Sequence, residues 1–60
     1  MITNVWLKSQ PGKKIRYPDC IIETPVSCNN IYIINVTKSI EGAIEASYLM
    51  REISRIEFRP

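Results

Sequence analysis

The stretch IYIINVTKSIEGAIEASYLMREISRIEF, Ile31 to Phe58, decides how this chain is expected to fold. Its first six residues, Ile31 to Val36, are β-branched or aromatic everywhere except Asn35, a composition suited to a buried pleated strand. Such a strand, apolar on both faces, is expected at the centre of a sheet. From Ser39 the apolar spacing lengthens. Ile40, Ala43, Ala46, Leu49, Met50 and Ile53 gather on one arc of a 3.6-residue helix with Ile44 at its margin, opposite Glu41, Glu45, Tyr48 and Glu52. Thr37 and Ser39 are acceptable N-caps, and acids early with Arg51 and Arg55 late suit the helix macrodipole. Gly42 costs about 1 kcal/mol relative to alanine inside a helix, so it either weakens the element or marks a close approach to the sheet. At Arg55 alternation returns, with Ile56 and Phe58 inward and Glu57 outward. A strand, a helix and a strand in this order predict a right-handed crossover between parallel strands.

Working back toward the N-terminus, Asn4 to Ser9 alternates, with Val5 and Leu7 on one side and Asn4, Trp6 and Lys8 on the other. Gln10-Pro11-Gly12-Lys13 is a turn signal, so a hairpin follows, with a second arm from Lys14 to Tyr17. Pro18 cannot donate to a ladder and implies an edge, a bulge or a break. Pairing is expected to resume at Cys20 and run to Glu23, and Val26 to Asn30 reads as a loop. The chain therefore predicts a single domain, residues 1–60, of the α+β class. Its expected form is two layers in βββαβ order, about four mainly antiparallel strands with one amphipathic helix on one face.

Size and composition bound the function. A domain of 60 residues buries only about 60% of the surface its unfolded chain exposes, so its stability alone is marginal. With 45% hydrophobic residues, eleven of them isoleucine, the chain is too apolar for intrinsic disorder. Cys20 and Cys28 stand alone, there is no histidine, and two thiols fall short of a structural zinc set. No signal-like apolar region follows the N-terminus, which predicts a cytoplasmic protein with two reduced, inert thiols. No apolar run is long enough to span a bilayer, so no membrane association is expected. A net charge of +2 selects no partner.

Catalysis is not expected. The commonest general base is missing, and Asp19 beside Cys20 raises a thiol pKa, making a poorer nucleophile. Glu41 and Glu45 read as a solvated helix face, and no glycine-rich phosphate loop follows a strand, so neither a cofactor nor a small-molecule substrate is expected. Two surfaces remain as binding candidates. If Val5, Leu7, Ile33 and Phe58 face the helix, then Trp6, Tyr32, Ile34 and one of Ile21 or Ile22 form an uncovered apolar face, which usually marks an interface. The stripe Glu41, Glu45, Tyr48 and Glu52 offers a secondary contact for a basic partner. The alternative is nucleic-acid binding at the hairpin tip, where Lys13, Lys14 and Arg16 lie near Tyr17 with Lys8 on the facing arm.

The leading expectation is thus a small non-enzymatic regulator or inhibitor that occupies a protein target, with a homodimer as one way to cover the apolar face. Small regulators encoded by phages, viruses and other mobile elements have this profile. A nucleic-acid-binding module stands second and a structural subunit of a larger assembly third.

Overall fold

The computed structural model describes all residues, Met1 to Pro60, and contains no α-helix. Seven strands follow one another: β1 (Ile2–Leu7), β2 (Lys14–Pro18), β3 (Cys20–Ile22), β4 (Val26–Cys28), β5 (Ile31–Lys38), β6 (Ile44–Leu49) and β7 (Ile53–Arg59). The only helical turn is a 3₁₀ segment, Met50–Glu52, between β6 and β7. The expected α+β fold is therefore wrong. All strand pairs are antiparallel, in two sheets: β2-β1-β7, and a second in which β5 pairs β3 and β4 along one edge and β6 along the other.

The helix fails for a local reason. Gly42 sits at φ +70°, in the left-handed region that an L side chain adopts only with strain, and there it closes a hairpin instead of continuing a helix. Its N–H donates to the Lys38 carbonyl at 2.9 Å, and the Lys38 N–H donates to the Ala43 carbonyl at 2.9 Å. Past that turn Ile44 to Leu49 runs back along β5, Ala46 opposite Val36 and Tyr48 opposite Ile34, with Glu45 the extra residue of a bulge. Thr37, read as a possible cap, lies inside β5 and donates its hydroxyl to Glu23. No parallel crossover forms, because β7 returns to the other sheet and pairs antiparallel with β1.

The remaining turns follow their residues. Pro11-Gly12 makes the β1–β2 hairpin, with Gly12 at φ +81° and the Lys13 N–H donating to the Gln10 carbonyl at 3.1 Å, the pattern of a type II turn. Val26 to Cys28, expected as loop, is β4, joined to β5 by Asn29-Asn30. Both asparagines have positive φ, 51° and 64°, as a two-residue type I′ hairpin requires. Asp19, at φ 57°, is the corner where the chain leaves the first sheet and enters the second. Its N–H donates to the Met1 carbonyl at 2.8 Å and its carbonyl accepts from Ser39 at 3.0 Å, so both sheets hold the corner.

The sheets pack face to face over a small core of Val5, Cys20 and Val36, flanked by Leu7, Tyr17, Ile22, Ala46, Tyr48 and Ile53. Thr3 adds a tie between the layers by donating its hydroxyl to the Cys20 carbonyl at 2.7 Å. Neither cysteine is bridged. Cys20 is buried and donates to the Pro18 carbonyl at 3.3 Å, and burial, with Glu45 nearby, pushes its thiol pKa up, whereas Cys28 is exposed on β4. A thiol-selective disulfide reagent at neutral pH is therefore expected to label one thiol per native chain rapidly, and the second only on unfolding. Two equivalent fast reactions would contradict the burial of Cys20.

Candidate functional site

Residues directly opposite each other in antiparallel strands share a face, so the pairing fixes what the first sheet turns outward. Thr3, Val5 and Leu7 point into the core, which leaves Ile2, Asn4 and Trp6 of β1 outside. Beside them stand Lys14, Arg16 and Pro18 from β2, and Arg55, Glu57 and Arg59 from β7. The outer face is thus three rows across the strands: Lys14, Trp6 and Arg55; Arg16, Asn4 and Glu57; Pro18, Ile2 and Arg59. Two rails of cations flank a neutral central strand.

Charge is segregated along the same lines. Residues 1–18 and 53–60, which build this sheet and its hairpin tip, hold Lys8, Lys13, Lys14, Arg16, Arg55 and Arg59 against Glu57 alone, a formal +5. Residues 19–52 hold Lys38 and Arg51 against Asp19, Glu23, Glu41, Glu45 and Glu52, a formal −3. The modest net charge hides this division.

The rails differ in how they are held. On β7, Glu57 accepts from Arg59 Nε at 3.1 Å, from an Arg55 terminal nitrogen at 3.3 Å and from Asn4 Nδ2 at 3.1 Å. The Asn4 hydrogen bond, followed by that of Arg59, holds the Glu57 carboxyl below its usual pKa, so it stays ionised at neutral pH. The Arg55 guanidinium also lies over the Trp6 ring, 4.7 Å from its centroid, a cation–π contact. On β2, neither Lys14 nor Arg16 makes an ion pair. Asn4 is only 4% exposed and its Oδ1 has no partner, an unsatisfied acceptor beneath the middle of the face.

The other residues singled out in the sequence are dispersed. Tyr17 turns inward, opposite Thr3, and packs edge-on against Tyr48, with ring centroids 6.4 Å apart and the two hydroxyls hydrogen-bonded. It is not on the outer face with Lys14 and Arg16. Lys8 and Lys13 lie in the β1–β2 turn, the Lys8 N–H donating to the Glu52 carbonyl at 2.8 Å. Ile34 is 5% exposed and belongs to the interior, and Tyr32 is exposed in the second sheet, so Trp6, Tyr32 and Ile34 share no surface. Glu41 lies in the β5–β6 turn, Glu45 at the bulge in an ion pair with Lys38 at 3.3 Å, Tyr48 against Tyr17, and Glu52 in the 3₁₀ turn. The acidic stripe existed only on the expected helix.

An uncovered apolar surface does exist, on the outer side of the second sheet. Val26, Ile33 and Leu49 form one row across β4, β5 and β6, and Val26 is 51% exposed. A concavity of about 550 Å³ lies at the Asp19 corner, lined among others by Arg16, Lys38, Asp19, Glu41 and Glu45. It brings both signs of charge together, and its one thiol, Cys20, is the buried one. No three His, Cys, Asp or Glu side chains converge as a metal site. No helix is long and apolar enough to cross a membrane. Comparison with protein-family models, with curated proteins and with solved structures finds no match to this chain.

Proposed function

We propose that this chain is a non-enzymatic binding domain whose outer first-sheet face takes the phosphate backbone of a nucleic acid. The observation that carries this reading is the gathering of Lys14, Arg16, Arg55 and Arg59 on one face around Trp6, on a sheet that together with its hairpin tip carries a formal charge of +5. Lysines and arginines in rows neutralise phosphates and release counterions, which supplies most of the affinity of such contacts. Arg55 and Arg59 extend the basic hairpin with cations from the far end of the chain. With them, the cationic face supports nucleic acid ahead of the protein-target reading that the sequence favours. That second reading, a regulator or inhibitor occupying a protein, keeps one specific support, the uncharged Val26, Ile33 and Leu49 row on the opposite side.

Fluorescence anisotropy with a labelled oligonucleotide of mixed sequence tests the proposal. Binding is expected to weaken steeply with salt, each phosphate contact adding about 0.7 to the log–log slope for a single strand. Lys14→Ala with Arg16→Ala should lower that slope by about 1.4, removing two contacts. Absence of binding at low salt, or an affinity indifferent to salt and to both substitutions, would overturn the assignment and leave the apolar row as the functional surface.

A further inference from the structure

Resting on the nucleic-acid reading above, we infer that the ligand is single-stranded and that one unpaired base stacks on the Trp6–Arg55 pair. The two cation rails are not equivalent. Lys14 and Arg16 on β2 carry no ion pair, so their charge is free for phosphate, and their i, i+2 spacing sets them about 7 Å apart along one edge of the face. Arg55 and Arg59 on β7 are both tied to Glu57, which neutralises one of their two charges, so that side offers phosphate less free charge than β2 does. The backbone therefore runs along β2, and the bases extend across β1 toward β7.

What they meet there is a stacking surface. Trp6 stands in the middle strand between Lys14 and Arg55, and the Arg55 guanidinium lies 4.7 Å from its ring centroid. The Arg55 side chain is 63% exposed while its hydrogen bond to Glu57 fixes where it lies. The guanidinium lies over the half-buried Trp6 ring, so a base stacks on the exposed guanidinium plane and the ring edge beside it, by π-stacking and cation–π attraction together. In a duplex the base faces are already stacked and out of reach. A flat face that offers a ring beside a phosphate rail therefore discriminates in favour of unpaired bases.

Trp6 is the only tryptophan in the chain, so intrinsic fluorescence reports on this one position. The intact chain is titrated with a single-stranded oligonucleotide, with its duplex, and with inorganic polyphosphate, which carries the charge without bases. The single strand is expected to quench Trp6 saturably, and polyphosphate to bind with little quenching. Trp6→Leu should weaken single-strand binding by about tenfold, with polyphosphate affinity unchanged and Trp6→Phe restoring most of the loss. Arg55→Lys keeps the charge without the plane, so it should preserve the salt slope while weakening single-strand binding severalfold. Equal affinity for single strand and duplex, with no quenching and no effect of Trp6→Leu, would overturn the stacking inference while leaving phosphate binding intact. Failure of all three ligands to bind at low salt would overturn both.

Discussion

Val36→Asp is expected to abolish the folded state, whereas Ile40→Asp is expected to leave it almost untouched. Val36 is fully buried in β5, the strand flanked on both edges, and packs with Val5 and Cys20 where the sheets meet. A carboxylate there has no cation to pair with, and burying it unpaired costs several kcal/mol. A chain of 60 residues has only about 3–9 kcal/mol of total stability at the usual value per residue. Ile40 is 93% exposed in the β5–β6 turn, and a surface substitution there should fall within about 0.5 kcal/mol. A helix from Ser39 would bury Ile40 in its apolar arc, so the pair of variants separates the two folds. Urea titrations followed by far-ultraviolet circular dichroism provide the measurement. A loss above about 1 kcal/mol for Ile40→Asp would contradict the turn.

The helix reading failed over a stretch too short to separate the two periods. Ala46 faces inward and Glu45 outward in either reading, only Tyr48 and Leu49 exchange sides, and over Ile44 to Leu49 six residues are too few to separate a period of two from one of 3.6. Gly42 was the deciding residue. Its cost inside a helix is modest, but its positive φ is what a hairpin between β5 and β6 needs, and Asn29-Asn30 carries the same kind of signal before β5. By contrast, Val5 and Leu7 inward with Trp6 outward, the Pro11-Gly12 hairpin and the central place of Ile31–Val36 all followed from local alternation and turn chemistry. Ile56 and Phe58 also share the inner side of β7 with Glu57 opposite, although Phe58 is half exposed at the rim.

The candidate face was half legible. Lys14 and Arg16 are near neighbours in sequence, and the hairpin tip drew attention to them. Arg55 and Arg59 join them only because β7 pairs with β1, Val5 opposite Ile56, a contact about 50 residues long in sequence that no local pattern encodes. Alternation alone assigns Trp6 to an apolar surface. The pairing instead sets it between Lys14 and Arg55, which converts an aromatic interface residue into the centre of a cationic one.

Tyr48→Ala is expected to cost about 2–4 kcal/mol, below the full range for a buried aromatic because the side chain is only half buried. With Tyr17 it bridges the free edges of the two sheets, β2 of the first and β6 of the second, by an edge-on ring contact and a hydroxyl hydrogen bond. Tyr48→Phe keeps the ring and should cost about 1 kcal/mol, the usual net worth of one hydrogen bond. The pair also predicts an alkaline signature. Burial first, and then the Tyr48 hydroxyl, push the Tyr17 phenol well above its ordinary pKa of 10.0, so the folded chain keeps a proton that the unfolded chain releases. Its contribution to stability is complete below about pH 10 and declines as pH rises past that value. Tyr48→Phe, lacking the hydroxyl, should be less stable at pH 7 yet lose less further stability between pH 9 and about pH 11. Urea midpoints at the two ends of that range decide the matter. If Tyr48→Ala melts like the parent chain, Tyr48 is a free surface residue and the aromatic bridge between the sheets does not form.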